Sequence, residues 1–224
     1  MKPKVLVGCP TFELYDYCLN KYVEAVKDIE YENYDVVLVD NSKGDSYFDK
    51  IKKRGVKVLK SPYYDDVEKR IVHARNVLRQ YALDNDYDYL LCLDQDVIPY
   101  SDIIIQLMSH NKDVVSGLYF SYCISNGIKT LTPMLWKDEG DNSIVYVNEN
   151  EAFLRPFFEI IACGLGCVLI SREVLQFVKF RCEDSPINIL FCLDVHNKGY
   201  GIYADTSVRC VHMLEDKDFD ISNL

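Results

Sequence analysis

The sequence predicts an α/β protein: a single domain on a Rossmann-like, mostly parallel central sheet with a mixed C-terminal half. Three observations carry that reading. Short, near-continuous apolar runs alternate with helix-period segments through the first half of the chain. A chain of 224 residues that is 49% hydrophobic is long enough to bury one substantial core. After Asp96 the alternation gives way to irregular β segments punctuated by Gly, Asn and Asp.

The elements follow in order. Lys4-Val5-Leu6-Val7-Gly8-Cys9 and Val36-Val37-Leu38-Val39 are the β-branched runs expected of parallel strands covered on both faces. Between them, Leu14 to about Asp28 sets Leu19, Tyr22, Val23 and Val26 at helical spacing. A second helix from Tyr47 to Arg54 stops at Gly55, before the strand Val56-Lys57-Val58-Leu59. A third, Val67 to Leu83, carries Val67, Ile71, Ala74, Leu78 and Ala82 on one face and leads through Asp84-Asn85-Asp86 into the strand Leu90-Leu91-Cys92-Leu93. Such βα succession implies right-handed crossovers and a parallel sheet. No G-x-G-x-x-G follows the first strand, which disfavours a dehydrogenase-type dinucleotide fold.

Beyond Asp96, Pro99 and Ser101 start a short helix reaching about His110, and Val114 to Phe120 reads as a strand. Phe157 to Ile170 is an apolar run broken by Cys163-Gly164-Leu165-Gly166-Cys167, where glycine permits a bulge or close backbone approach. Ser185 as N-cap and Pro186 as first residue start a last helix, which Gly199 ends. The domain divides into 1–98, 99–215 and a 216–224 tail.

A net charge of -10 argues against a nucleic-acid backbone as partner, and an anionic small ligand would need a cation to bridge it. No apolar segment reaches the roughly 20 residues that cross a bilayer, and Met1-Lys2-Pro3-Lys4 lacks signal-peptide form. A soluble, cytoplasmic protein is expected, with peripheral membrane association left open. The nine cysteines, several in apolar runs, are expected to be free thiols in a reducing compartment. For Cys163-x-x-x-Cys167 the apolar setting favours packing over a redox or metal site.

Asp-x-Asp occurs five times, and only Asp94/Asp96 directly follows a strand-like run. Two carboxylates at the carboxyl end of a buried strand are hard oxygen ligands at the sheet edge where α/β proteins bind ligands. They suit Mg²⁺ or Mn²⁺, which would screen a diphosphate. His73, His110 and His196 sit in helical patterns and read as structural or surface residues.

The order of motifs resembles GT-A glycosyltransferases, most closely those of family 2. The likeness rests on Cys9-Pro10-Thr11-Phe12-Glu13 after the first strand, Val39-Asp40-Asn41 after the second, Ala74-Arg75-Asn76 in the helix before the acids, and Leu93-Asp94-Gln95-Asp96. It continues through Cys163 to Arg172 and through Gly199 to His212, and so covers most of the chain. The resemblance implies a metal held by Asp94, Asp96 and His212 on a nucleotide-sugar diphosphate of UDP or GDP type. It sets Pro10, Thr11, Glu13, Asp40, Arg75 and Asp94 around the nucleotide, and Gly164 and Gly166 beside the donor sugar. The implied activity is metal-dependent transfer, with inversion, of a sugar to an acceptor hydroxyl on a glycan, lipid or protein.

Inverting transfer needs a carboxylate base. The family carries an acidic pair at the start of the helix that ends in Gly-Tyr, which points to Glu183-Asp184 and to Asp184 as base. The pair lies four residues earlier than the family pattern, where Ile187 and Asn188 stand instead. Asp194 is the alternative base, and a helix-capping role for the pair is the third reading. The displaced pair also supports a rival, a non-catalytic nucleotide-sugar or metal-binding protein of the same fold. A nucleotidyltransferase would want a Gly-rich, basic loop after the first strand, which Gly8 to Glu13 does not offer.

Overall fold

A computed structural model describes residues 2–125, 127–141, 143–183, 185–214 and 217–219. The first half contains β1 (Val5–Thr11), a 3₁₀ turn (Glu13–Cys18), α1 (Leu19–Lys27), β2 (Tyr34–Asp40), α2 (Ser46–Lys53), β3 (Lys57–Lys60), α3 (Val67–Asp84) and β4 (Tyr89–Leu93). There follow β5 (Val97–Ile98), α4 (Ile103–Met108), β6 (Val114–Leu118), β7 (Phe120–Ser125), β8 (Ile128–Pro133), β9 (Leu135–Gly140), β10 (Ser143–Tyr146) and α5 (Glu149–Leu154). The last third holds β11 (Phe157–Ile160), β12 (Ala162–Cys163), β13 (Cys167–Ser171), α6 (Arg172–Phe177), α7 (Ile187–Asn197), β14 (Ile202–Arg209), β15 (Val211–Leu214) and β16 (Lys217–Phe219).

Eight strands form the central sheet in the order β11-β14-β6-β13-β4-β1-β2-β3. The β3-β2-β1-β4 half is wholly parallel, as the alternating sequence requires. β13 enters between β4 and β6 and runs against both, while β14 returns parallel to β6. That reversed strand and the antiparallel edge strand β11 make the second half mixed.

The period-2 alternation of each strand divides the core. Leu6, Leu90, Cys92, Val168 and Ile170 pack under Ala74, Leu78 and Ala82 of α3, Val174 of α6, and Phe191 and Val195 of α7. Val5, Val7, Leu91, Leu93 and Leu169 face Leu19, Tyr22, Val23 and Val26 of α1, Ile51 of α2 and Leu107 of α4. Both faces are covered, which is why the strands read as unbroken apolar runs. Truncating a fully buried side chain here, such as Leu78, costs about 2–5 kcal/mol.

Three boundaries differ from the sequence reading. The expected helix from Leu14 opens as a 3₁₀ turn, and α-helix begins only at Leu19. Leu14, Tyr15 and Tyr17 are exposed, so that turn has no apolar face to bury against the sheet. Pro186, not Ser185, takes the cap position of α7, with extended ψ and its carbonyl accepting from Leu190 N at 3.0 Å. The helix expected from Pro99 and Ser101 to about His110 runs only from Ile103 to Met108, with Asp102 at the N-cap position. Gly199 ends α7 as expected, with a φ of +87° that favours glycine. Among the described residues no helix is long and apolar enough to cross a membrane.

Candidate active site

The carboxyl ends of β1, β2 and β4 meet at one edge of the sheet, with Thr11 in register with Asp40. A cleft of about 240 Å³ opens there. It is lined from β1 by Pro10 and Thr11, from the 3₁₀ turn and its N-cap by Tyr15 and Phe12, from α3 by Arg70, Ile71 and Arg75, and by Asp94, Gln95, Asp96, Tyr119 and His212. Val67 and Ile71, read in the sequence as part of one core stripe, belong to this cleft instead. The apolar face of α3 outruns the sheet beneath it.

Asp94 and Asp96 leave the strand in a turn that splits their roles. Asp94 Oδ1 accepts a hydrogen bond from Arg75 Nη2 at 2.7 Å. Desolvation raises the Asp94 pKa above its ordinary value, Arg75 opposes the shift and the neighbouring Asp96 adds to it. Asp96 turns the other way, toward His212, whose Nε2 lies 3.2 Å from Asp96 Oδ2.

Gln95 between them holds the turn in place. Its side chain is buried; Oε1 accepts from the Thr11 hydroxyl, and Nε2 donates to Tyr15 O and to the Tyr47 hydroxyl, each at 2.7 Å. The amide between the two acids thus ties their turn to β1, to the 3₁₀ turn and to Tyr47 of α2. Sequence reasoning passed over Gln95, which lies in the turn between β4 and β5.

His212 Nδ1 lies 2.6 Å from the carbonyl oxygen of Phe120. A carbonyl only accepts, so Nδ1 carries the proton and Nε2 is left facing a carboxylate that also accepts. Two acceptors so close need a proton or a cation between them. The protonated form fits the raised pKa of His212: burial opposes it, and the hydrogen bond and charge of Asp96, the Phe120 carbonyl and the charge of Asp94 together overcome the burial.

The same pair fits a divalent ion. Two ligands at right angles, each about 2.1 Å from a Mg²⁺-sized ion, stand about 3 Å apart, and such ions are held by one or two carboxylates with the remaining positions filled by phosphate and water. The carbonyl behind Nδ1 is the outer partner that ligating imidazoles use. Among the described residues no three His, Cys, Asp or Glu side chains converge on one point. The expected trio is thus divided, with Asp94 drawn to the buried guanidinium of Arg75.

Arg75 is 4% exposed, and its Nε and Nη1 are buried without a hydrogen-bond partner. Next to it, Asn76 donates to Phe180 O at 2.8 Å and accepts from Phe180 N at 3.1 Å. Of the Ala74-Arg75-Asn76 motif, then, one side chain serves the acids and the next fastens the strand-like segment that leads to Arg181.

Gly164 and Gly166 lie off the cleft lining, with Tyr119 between them and the cleft. A Cβ on Gly166 would stand 2.8 Å from Tyr119 Cζ, and Gly166 N donates to the Tyr119 hydroxyl at 3.1 Å. The glycines admit this ring, which meets His212 edge-on at 5.4 Å. Tyr119 is a second residue that sequence reasoning missed; its only signal was an aromatic at the end of a strand run.

Pro10 and Thr11 line the cleft, whereas Glu13 is exposed outside it. Asp40 is fully buried, paired with Lys60 Nζ at 2.7 Å and accepting from Ser42 N at 2.9 Å. Asp184 lies outside the described residues. Both oxygens of Asp194 accept from Arg181, at 2.6 and 3.1 Å, and Arg181 also pairs with Glu183 at 2.5 Å. His73 and His196 are held by Ser61 and by Ile161 O, and His110 pairs with Asp205.

No protein-family model matches the sequence, and no curated protein matches it. Solved structures do. The mannosyltransferase PcManGT from Pyrobaculum calidifontis, solved in complex with GDP-Man and Mn²⁺, superposes with a TM-score of 0.63 at 15% identity over 94% of this chain and 56% of that one. S. aureus TarS 1-349 in complex with UDP-GlcNAc gives 0.58 at 16% identity over 92% and 57%. The chain has a GT-A-like glycosyltransferase fold. A197 from STIV gives 0.55 at 17% identity, covering 96% of this chain and 87% of that one. This GT-A-like chain spans little more than half of the mannosyltransferase and of TarS 1-349. Its cleft lies at the strand ends where open α/β sheets bind ligands.

Proposed function

We propose that the chain is a glycosyltransferase that moves a sugar from a nucleotide-diphosphate donor, of UDP or GDP type, to an acceptor hydroxyl, with a divalent cation and with inversion. One observation carries the reading: a cation seat and an anion seat share one cleft. Asp96 and His212 offer two facing acceptors, and Arg75 offers two buried, unpartnered N–H donors. Neither side alone would select a diphosphate, which carries its own negative charge and arrives with a metal. The fold is that of enzymes solved with GDP-Man and Mn²⁺ or with UDP-GlcNAc, which supports the same assignment.

Asp96 and His212 would hold Mn²⁺ or Mg²⁺, and Asp94 lies beside them as the remaining carboxylate. An ion held there would supply positive charge to a departing diphosphate. Arg75 binds phosphate oxygens through Nε and Nη1 while Nη2 keeps Asp94 oriented. Gln95 fixes the turn so that both carboxylates keep their direction. Tyr119 and Met134 close the apolar floor and exclude water from the reacting centre. Asp184 removes the acceptor proton, since Asp194 has both oxygens engaged by Arg181.

The test is donor hydrolysis and transfer measured with Mn²⁺, Mg²⁺ and EDTA. Activity that survives both chelation and Asp96→Ala would remove the metal assignment, and full activity in Asp184→Asn would remove the base. The ties of Glu183 and Asp194 to Arg181 favour a second reading, nucleotide-sugar binding without transfer. Saturable donor binding with no turnover on any acceptor would select it.

A further inference from the structure

The thiols of Cys167 and Cys210 meet inside the core. Both are buried, and Cys210 Sγ stands 3.6 Å from Cys167 Sγ. Cys167 opens β13 opposite Leu93 of β4, the residue that precedes Asp94. Cys210 joins β14 to β15, two residues before His212, with its N–H donating to Leu118 O at 2.9 Å. The two sulfurs therefore stand between the segment that carries Asp94 and the segment that carries His212.

The neighbouring strand leaves room for them. Gly117 of β6 has no side chain, and a Cβ there would lie 2.7 Å from Cys167 Sγ and 3.1 Å from Val208 Cγ1. A buried cysteine alone is a small apolar filler. Two in contact are also a dithiol, because closing from 3.6 Å to the disulfide length of about 2.05 Å takes a movement of about 1.5 Å, shared by two side chains. Cys167 of the Cys163-x-x-x-Cys167 spacing thus finds its thiol partner in a distant segment. Cys163 instead neighbours Cys192 of α7, whose Sγ donates to the Cys163 carbonyl at 3.9 Å.

We propose that Cys167 and Cys210 are a modification site, a dithiol that a small-molecule disulfide such as oxidised glutathione converts into an internal disulfide. One cysteine attacks the glutathione disulfide, forming a mixed disulfide and releasing one glutathione; the second cysteine then displaces the other. Two electrons pass from the pair to the oxidant, and the protons of both thiols end on the two glutathione molecules. The buried sulfurs leave no room for a glutathionyl group in the folded chain, so exchange takes place while β15 is undocked. The bond then closes a loop that runs from β13 through α6, α7 and β14, and fastens the segment ahead of His212 to β13. The bond does not depend on the nucleotide-sugar reading.

The experiment is refolding of the reduced full chain from denaturant with oxidised and reduced glutathione, against a control in dithiothreitol, followed by non-reducing peptide mapping. The peptides of Cys167 and Cys210 should be joined in the oxidised protein. Its melting temperature should exceed that of the control by about 5–15 °C, a gain that reduction abolishes. Hydrogen exchange at Val211 to Leu214 should slow about tenfold or more. Cys167→Ala and Cys210→Ala should each lose the crosslink and the gain, and if either variant fails to fold, mapping of the wild type decides alone. Unjoined peptides, a Cys163–Cys192 crosslink in their place, or loss of the native circular dichroism spectrum on crosslinking would overturn the site. A joined pair with unchanged melting temperature and unchanged exchange would overturn its role in fastening the His212 segment.

Discussion

His212 Nε2 stands 3.2 Å from Asp96 Oδ2 while Nδ1 is engaged by the Phe120 carbonyl. The imidazole is thereby fixed in the orientation and tautomer that a cation site requires. His212→Ala should lower Mn²⁺ affinity about 10–100-fold, read by the electron paramagnetic resonance of free Mn²⁺. An unchanged affinity would remove His212 from the site.

The same pair predicts a pH dependence in the metal-free protein. Burial disfavours the imidazolium, but the hydrogen bond and charge of Asp96, with the Phe120 carbonyl and the charge of Asp94, together leave the folded pKa above the ordinary 6.5. A raised histidine pKa stabilises the fold fully below the unfolded value, and that contribution is lost as pH rises through the folded value. In EDTA, wild type should therefore exceed His212→Gln in melting temperature most below about pH 6.5, and the gap should shrink on going to alkaline pH. A gap that widens with pH would contradict the imidazolium–carboxylate pair.

Gln95→Leu keeps the side chain's bulk and deletes its hydrogen bonds, leaving Thr11, Tyr47 and Tyr15 O unpaired in the core. A loss of about 3 kcal/mol is expected in urea unfolding at unchanged m-value. A loss under about 0.5 kcal/mol would mean the turn does not depend on its amide.

Much of the fold was legible because its cause is local. Strands covered on both faces must be apolar throughout, and a helix on a sheet must carry a stripe, so β1, β2, β4 and α3 are readable from spacing alone. The position of β13 between β4 and β6 was not, since it depends on pairing between distant segments. The site was legible as residue types and less so as directions. Strand context singled out Asp94 and Asp96, but their divergence toward Arg75 and His212 involves partners distant in the sequence. Asp40 was read as facing the cleft, and its burial was not legible for a similar reason: Lys60, on another strand, closes over it.

Gly166→Ala tests the Tyr119 contact. The added methyl collides with the ring and should cost about 1–3 kcal/mol. In a Tyr119→Ala background the same change should cost far less, which a double-mutant cycle reads as coupling. Additive losses would show that the glycine serves something other than this ring.

The thiols divide by burial. Cys123 and Cys182 are partly exposed and the other seven cysteines are buried. Burial pushes Cys18 and Cys92 up to about 12, so thiolate is scarce at neutral pH. Titration with a chromogenic disulfide should give two fast groups in the native protein and nine in denaturant. More than two fast groups would indicate a looser core.

The ladder that joins β15 to β5 pairs His212 with Val97, and Met213 N donates to Asp96 O at 2.8 Å. Asp96 and His212 lie far apart in the sequence, so the two meet only through the pairing of β15 with β5. The Asp96–His212 pair therefore reports on the docking of β15 against β5. A nascent chain halted before Val211 already carries Asp94-Gln95-Asp96 but has no imidazole to set against them, and gain of Mn²⁺ affinity during refolding would time the docking of the final strands.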